Sequence, residues 1–347
     1  APEENYELMN NHSIAFGDAV YIGFHSNAGG GRGAVGLFTN SASQRTPNQV
    51  ELATYTGRQI NQDMQALNGQ FEHNWSNRTT HTFSGVNFGE INAGPNAEMD
   101  MTIIEVAFHD SNLDGDLLSD PKVREQLGRS TYEAVIEYFA NHAGLADSTS
   151  QPSAPTEISA TTADNGDITV SWEPGPIGVQ GGAPTAFRVY ASRDGYGYAG
   201  YVEVAGGGAG SYTFDAADLD DDPYYFKVVA VNSGGESPRS LVAAAQKSSL
   251  GGSPRVLIVQ GFDRNDRFTN ERYSDPFSND PDGLDLVDRQ RPRYNNTFDY
   301  AIQVAEAMDA TANSLRIDTA SNEELIAGDV SLSDYDAVFW TSGEEST

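Results

Sequence analysis

The 347-residue chain contains no cysteine. Disulfide frameworks and thiolate metal sites are excluded, so any metal must be held by His, Asp or Glu. Cationic residues are scarce, with 20 Lys and Arg against 50 Asp and Glu and a net charge of −30. That balance works against binding nucleic acid or docking on anionic lipid, and favours a soluble protein exposed to salt or divalent cations. The acids are spread evenly, as on a solvated surface and not in an acidic tail. No apolar run approaches the roughly 18 residues that span a bilayer, and no membrane insertion is expected. Ala1–Asn11 lacks the basic and apolar regions of a signal peptide, so a removed signal or a fragment is expected.

The length suits two or three domains, each with its own core. Residues 1–144 alternate strand-like and helix-like patterns, the α/β signature. In Asp18–Phe38, DAVYIGFHSNAGGGRGAVGLF, a buried strand over Ala19–Phe24 ends by presenting His25, Ser26 and Asn27. A glycine-rich turn follows, then a second strand from about Ala34. The spacing predicts a helix over Asn48–Leu67, with Pro47 just ahead of it. In MTIIEVAFHDSN, Met101–Ile104 is a further apolar run with Glu105 set inside it. Asp120 is the expected N-cap and Pro121 the first residue of a helix whose apolar stripe runs from Val123 to Phe139.

Between Gly144 and Pro155 the composition turns to that of an exposed linker. Short alternating strands separated by Gly, Asp and Asn then predict a small β-sandwich over residues 155–247. A second linker, KSSLGGSP, spans Lys247–Pro254. Over residues 254–347 a strand (Arg255–Gln260), a helix (Phe298–Met308) and a strand (Tyr335–Trp340) predict the start of a doubly wound α/β unit, truncated at Thr347. The expected fold class is thus multidomain: an α/β domain, an all-β sandwich and a partial doubly wound α/β domain.

An imidazole and a carboxylate at the ends of two core strands are the two halves of a metal-hydrolase site. A lone His25 would ordinarily be a plain strand-end histidine, but a glutamate inside an apolar run is costly unless paired or used. His81 and His109 are expected as polar rim residues, with His109 four positions after Glu105; His12, His73 and His142 read as surface. Gly31–Gly36 matches a dinucleotide fingerprint in spacing, yet Ala34–Phe38 reads as strand where the fingerprint needs a helix. Arg32 in that turn is a candidate contact for an anionic substrate group. Asp110–Gly115 imitates half of an EF-hand, but its twelfth position is Pro121 instead of a glutamate, so a loop before the last helix is expected, with calcium binding the lesser alternative. Gly343–Ser346 lies at a strand end where such sheets bind ligands, without a nucleophile elbow.

Taken together, DAVYIGFHSNAGGGRG and IIEVAFHDSNLDGDLLSDPKVREQLGRSTYEAVIEYF resemble the zinc-dependent N-acetylmuramoyl-L-alanine amidase family. The resemblance implies that His25 is a zinc ligand and Glu105 the catalytic acid/base. Asn27, Arg32 and His109, beside them, are candidate substrate contacts. It implies peptidoglycan as substrate and an extracellular, periplasmic or cell-envelope location. The family takes two further ligands, a His and a Glu, from well before the His25 strand. Glu3, Glu4, Glu7 and His12 lie too near His25 to be those ligands, so an N-terminally incomplete domain is expected. The alternative is a degenerate amidase fold acting as an extracellular structural or adhesive module. SWEPG, FRVYAS and the run from Leu219 through YYFKVVAVNSGGESPRS resemble a fibronectin type III domain, with Trp172 as core tryptophan and Tyr224 at the tyrosine corner. The last segment resembles the opening of a flavodoxin-like or glutamine-amidotransferase-like domain.

Overall fold

The structure, a computed structural model, describes residues 12–94, 97–262, 265–274, 286–289, 299–311 and 315–342. Glu3, Glu4, Glu7 and Gly343–Ser346, weighed above, lie outside the described residues. The chain divides into two compact units, residues 1–148 with 265–291, and residues 149–264 with 292–347. No helix among the described residues is long and apolar enough to cross a membrane.

In the first unit the elements are β1 (Val20–Asn27), β2 (Val35–Leu37), α1 (Gln49–Ala66), β3 (Thr82–Phe83), β4 (Asp100–Phe108), α2 (Asn112–Ser119) and α3 (Pro121–His142). The sheet order is β1-β4-β2-β3, with β1 parallel and β2 antiparallel to β4. Alternation along β4 sorts its side chains between two cores. Ile104 packs with Ile60, Met64, Leu117, Val123 and Leu127 of the three helices. Met101 and Ile103 face the other way, against Val35, Leu37 and Ile91. Glu105 follows Ile103 at period two and so belongs to this second face, which Phe88, Ile91 and Met99 cover instead of helices.

Two expectations need correction here. β1 does not stop at Phe24; it runs through His25 to Asn27, because β4 offers partners as far as Phe108. His25 is therefore a strand residue. Asp110–Gly115 is not a loop throughout: a helix, α2, begins at Asn112, and the fully buried Asp114 is already committed. Its carboxylate accepts from Arg32 Nε at 2.7 Å and from the Gly33 backbone N–H at 2.8 Å. The helix starts do follow the sequence signals. Asp120 accepts from the Lys122 N–H at 2.9 Å, with Pro121 opening α3. Asn48 precedes α1, but its side chain donates to the buried Asp100 at 3.0 Å, which also accepts from the Asn48 N–H and the Tyr138 hydroxyl.

The second unit opens with β5 (Thr156–Thr162), β6 (Ile168–Glu173), β7 (Ala186–Ser192), β8 (Val202–Ala205), β9 (Gly210–Phe214), β10 (Tyr224–Asn232), β11 (Gly235–Glu236) and β12 (Ala243–Ala245). These make the expected sandwich, whose core holds Trp172, Phe187, Val189, Phe226 and Val228. Next come β13 (Arg255–Gln260) and a hairpin of the first unit, β14 (Glu271–Ser274) paired with β15 (Leu286–Arg289). α4 (Tyr300–Thr311), β16 (Arg316–Ser321), α5 (Asn322–Ala327) and β17 (Ala337–Thr341) follow. β13 lies between β16 and β17, parallel to both.

Lys247–Pro254, expected as a linker, joins two parts of one unit. One six-stranded sheet runs β17-β13-β16-β5-β6-β9, and β16 meets β5 at Thr319 and Ala160. The physical reason is a shared core: Tyr225, Val242 and Ala244 of the sandwich are buried against Ile258, Ala301 and Ile302. The Thr319 hydroxyl donates to the Ala244 carbonyl at 2.7 Å and accepts from its N–H at 3.0 Å.

Close packing in the first unit is exposed to a direct test. A Cβ added at Gly36 would lie 1.9 Å from the Ala53 carbonyl oxygen on α1. Gly36→Ala is expected to destabilise by about 1–3 kcal/mol, lowering the thermal midpoint by several degrees. Gly128, inside α3 with nothing within 4 Å of an added Cβ, is the matched control. Gly128→Ala should leave the midpoint unchanged or raise it.

Candidate functional site

β1 and β4 pair in parallel with His25 opposite Glu105, so the two side chains emerge on the same face. This is the face not covered by helices. A cavity of about 300 Å³ opens there. Its polar lining is Asn27, Arg78 and Glu105, and its apolar walls include Val35, Leu37, Phe83 and Phe88. Val35 is also the β2 partner of Glu105, which fixes the carboxylate against that wall.

Glu105 is half-buried, and its Oε2 is fully buried with no hydrogen-bond partner. Burial pushes its pKa above the ordinary value; His25 and His109 act to lower it and Glu90 to raise it. A carboxylate kept short of partners and nudged toward protonation has the properties of a general acid/base. His25 is itself 45% exposed and places Nε2 3.1 Å from Glu90 Oε2. Glu90 sits on a single 3-10 turn, Gly89–Ile91, and also accepts from the Tyr21 hydroxyl at 2.7 Å. Burial, followed by that bond, pushes the Tyr21 pKa up to about 12.

The remaining sequence candidates separate. Asn27 lines the cavity, its Oδ1 accepting from the Ala28 N–H at 2.8 Å. His109 is exposed and places Nδ1 3.0 Å from the Ser26 hydroxyl, beside the site and outside the cavity lining. Arg32 is tied to Asp114 and to the Asn74 carbonyl at 3.0 Å, so its fork braces the glycine-rich turn and does not line the cavity. His81 is turned to Asn61, 3.1 Å away, and burial lowers its pKa. Asp110 accepts from the Gly29 and Gly30 N–H groups at 2.7 and 2.9 Å, closing the turn from β4.

Two residues of the site were not foreseen: Glu90, which contacts His25, and Arg78, which lines the cavity. Both come from the 67–99 stretch, which carries little periodicity to place its side chains. His73, expected at the surface, joins Glu72 and Asp116 in the one cluster of potential metal donors among the described residues. Its Nε2 is 2.9 Å from Asp116, and Arg267 pairs with both Glu72 and Asp116. With an arginine between the carboxylates, the cluster is an internally compensated ion-pair network.

Comparison with known proteins bears on the second unit. The fibronectin type III domain family matches residues 153–246. Residues 153–246 are a fibronectin type III domain. The buried Trp172 and the Tyr224 hydroxyl, which accepts from the Asp220 N–H at 3.4 Å, fill the positions expected of that domain. Among solved structures, the chain is similar to an Fn3-like protein from Clostridium thermocellum, with 25% identity, 28% of this chain and 96% of that chain covered, and a TM-score of 0.23. It is similar to the domain of human fibronectin type III domain containing protein 3, at 24% identity, 31% and 95% coverage and a TM-score of 0.25. A third is the chicken CNTN1 FN1-FN3 domains, at 24% identity and a TM-score of 0.25, where the match spans 28% of this chain and 37% of that one. No curated protein matches the chain.

The raised Glu105 pKa carries a stability consequence. Above the ordinary glutamate value of 4.5 the unfolded chain has released this proton while the native state still holds it. Native stability therefore falls as pH rises through that window. In metal-free protein, Glu105→Gln removes the penalty of the buried charge. The melting temperature of the variant relative to wild type should increase from pH 4 to pH 7, and a difference independent of pH would contradict the assignment.

Proposed function

We propose that the first unit belongs to a zinc-dependent N-acetylmuramoyl-L-alanine amidase, a secreted peptidoglycan hydrolase of the cell envelope or extracellular space. One observation carries the reading: His25 and Glu105 stand in register on one face of the sheet, Glu105 lines the cavity, and one of its oxygens is buried and unpartnered. A carboxylate so placed takes a proton from the attacking water and returns it to the leaving amide nitrogen. The apolar walls hold substrate and reduce competing solvent around that transfer. The fibronectin type III domain would serve as spacer or binding module beside it.

The donor chemistry suits zinc, since imidazole and carboxylate are available and thiolate is not. When held there, zinc would supply polarisation of the amide carbonyl and a bound water of lowered pKa. The described residues do not complete the site, however. His25 and Glu90 bring two donors together, and no third joins them in a metal-sized cluster. The role assigned to this chain is thus limited to proton transfer at Glu105 and substrate binding in the cavity.

The His25–Glu90 contact favours a second reading, because it occupies the imidazole nitrogen with an internal partner. On that reading the unit is a degenerate amidase fold in an extracellular structural or adhesive protein. Metal analysis and peptidoglycan digestion of the full-length protein separate the two. The amidase reading expects bound zinc and released stem peptides, with Glu105→Ala losing release by at least a hundredfold while keeping the metal. Absence of both zinc and release in the wild type would establish the structural reading.

A further inference from the structure

Among the described residues, Arg78 is the one cationic side chain lining the cavity, and its surroundings leave part of its fork free. Its Nε donates to the Thr80 carbonyl at 2.8 Å and its Nη1 to the Arg32 carbonyl at 3.2 Å. Both acceptors are neutral backbone oxygens. They fix the plane of the guanidinium and leave Nη2 without a hydrogen-bond partner among the described residues. The Phe108 ring lies beneath it, 5.6 Å from ring centroid to Cζ, adding a cation–π contact that holds the group flat.

With 50 acids against 20 bases, carboxylates are abundant, and several arginines of the first unit take them. Arg32 pairs with Asp114, Arg58 with Glu137 and Arg267 with Glu72. Arg45, like Arg78, instead donates to backbone carbonyls and lies over a phenylalanine ring, but it does not line the cavity. Arg78 has no carboxylate at ion-pair distance among the described residues. Glu105 lines the same cavity and forms no ion pair with Arg78. The charges acting on Glu105 are those of His25, His109 and Glu90, and the one acting on Arg78 is that of Asp114, which is already paired with Arg32. A preorganised guanidinium with an open edge is suited to a carboxylate.

On the amidase reading of the same cavity, we propose that Arg78 is its specificity-determining residue, binding a carboxylate on the peptide portion of the substrate. The substrate class is then an acidic peptide amide: the apolar walls and Asn27 take the backbone, Glu105 faces the scissile bond, and Arg78 anchors the acid. Neither Arg32 nor a metal is required for this recognition.

The test is binding, measured by calorimetry on the wild-type 347-residue chain and on Arg78→Gln and Arg78→Lys. The two probes are N-acetylmuramoyl-L-alanyl-D-glutamate and its diamide, in which both carboxylates are neutralised. The wild type should bind the acid about tenfold or more tightly than the diamide. Arg78→Gln, with its folding checked by circular dichroism, should abolish that preference while leaving diamide affinity unchanged, and Arg78→Lys should restore part of it. Equal binding of the two probes by the wild type, a preference surviving in Arg78→Gln, or no binding of either probe would overturn the proposal. Hydrolysis is scored separately on peptidoglycan with the full-length protein. Arg78-dependent acid binding without cleavage would remove the amidase reading and leave the recognition role intact. Cleavage without acid preference would do the reverse.

Discussion

Parallel pairing of β1 with β4 sets Val20 opposite Asp100 and keeps that offset as far as His25 opposite Glu105. Side chains alternate with a period of two, so a slip of one residue would turn Glu105 toward Ile60, Leu117 and Val123. A carboxylate there would have neither solvent nor a partner. The register thus decides whether the unit has a site at all. Buried acids hold it at both ends. Asp100, at the start of β4, ties the strand to Asn48 before α1 and to Tyr138 of α3. Asp114, beyond its end, holds the Phe108 and Gly33 N–H groups and the Arg32 fork. Breaking such a buried pair costs about 3–5 kcal/mol because the surviving charge is stranded.

Against that background Glu105 is the exception. Asp100 and Asp114 are fully buried and well supplied with donors, whereas Glu105 is less buried and one of its oxygens has none. An unsatisfied carboxylate is retained against its stability cost where it is used. The glycine-rich turn has a supporting part in this. Gly29 and Gly30 adopt left-handed backbone and direct their N–H groups to Asp110, while the following Val35–Leu37 strand closes the cavity wall. A nucleotide cradle would need a helix in that place.

The second unit is governed by a different constraint. The fibronectin type III sandwich does not bury its outer face in solvent-facing polar residues alone. Tyr225, Val242 and Ala244 are apolar on that side, and α4 with β13 and β16 covers them. Hydrogen bonds then follow the hydrophobic contact. Thr319 bridges to Ala244, and the buried Asp318 accepts from the Thr162 N–H at 2.7 Å and from Arg255 at 3.0 Å. A short Gly- and Ser-rich segment gives no sign of this, since composition reports the chain's stiffness and not what flanking surfaces bury.

Local physics was legible in the sequence wherever neighbouring residues sufficed. Asp120 and Pro121 announced α3, alternation announced the sandwich strands, and the apolar run around Glu105 marked a strand with an acid inside it. α2 escaped because Asp114 and Gly115 are poor helix formers, and their helix is held by the tertiary bonds of the Asp114 carboxylate. Which side chains meet was decided only by the tertiary structure. Glu90 reaches His25, Arg78 enters the cavity and Arg32 is drawn away from it, although none of these pairings has a sequence period to betray it. Periodicity records which face of its own element a residue occupies; convergence of separate loops on one cavity depends on sheet order and register, which are long-range properties of the fold.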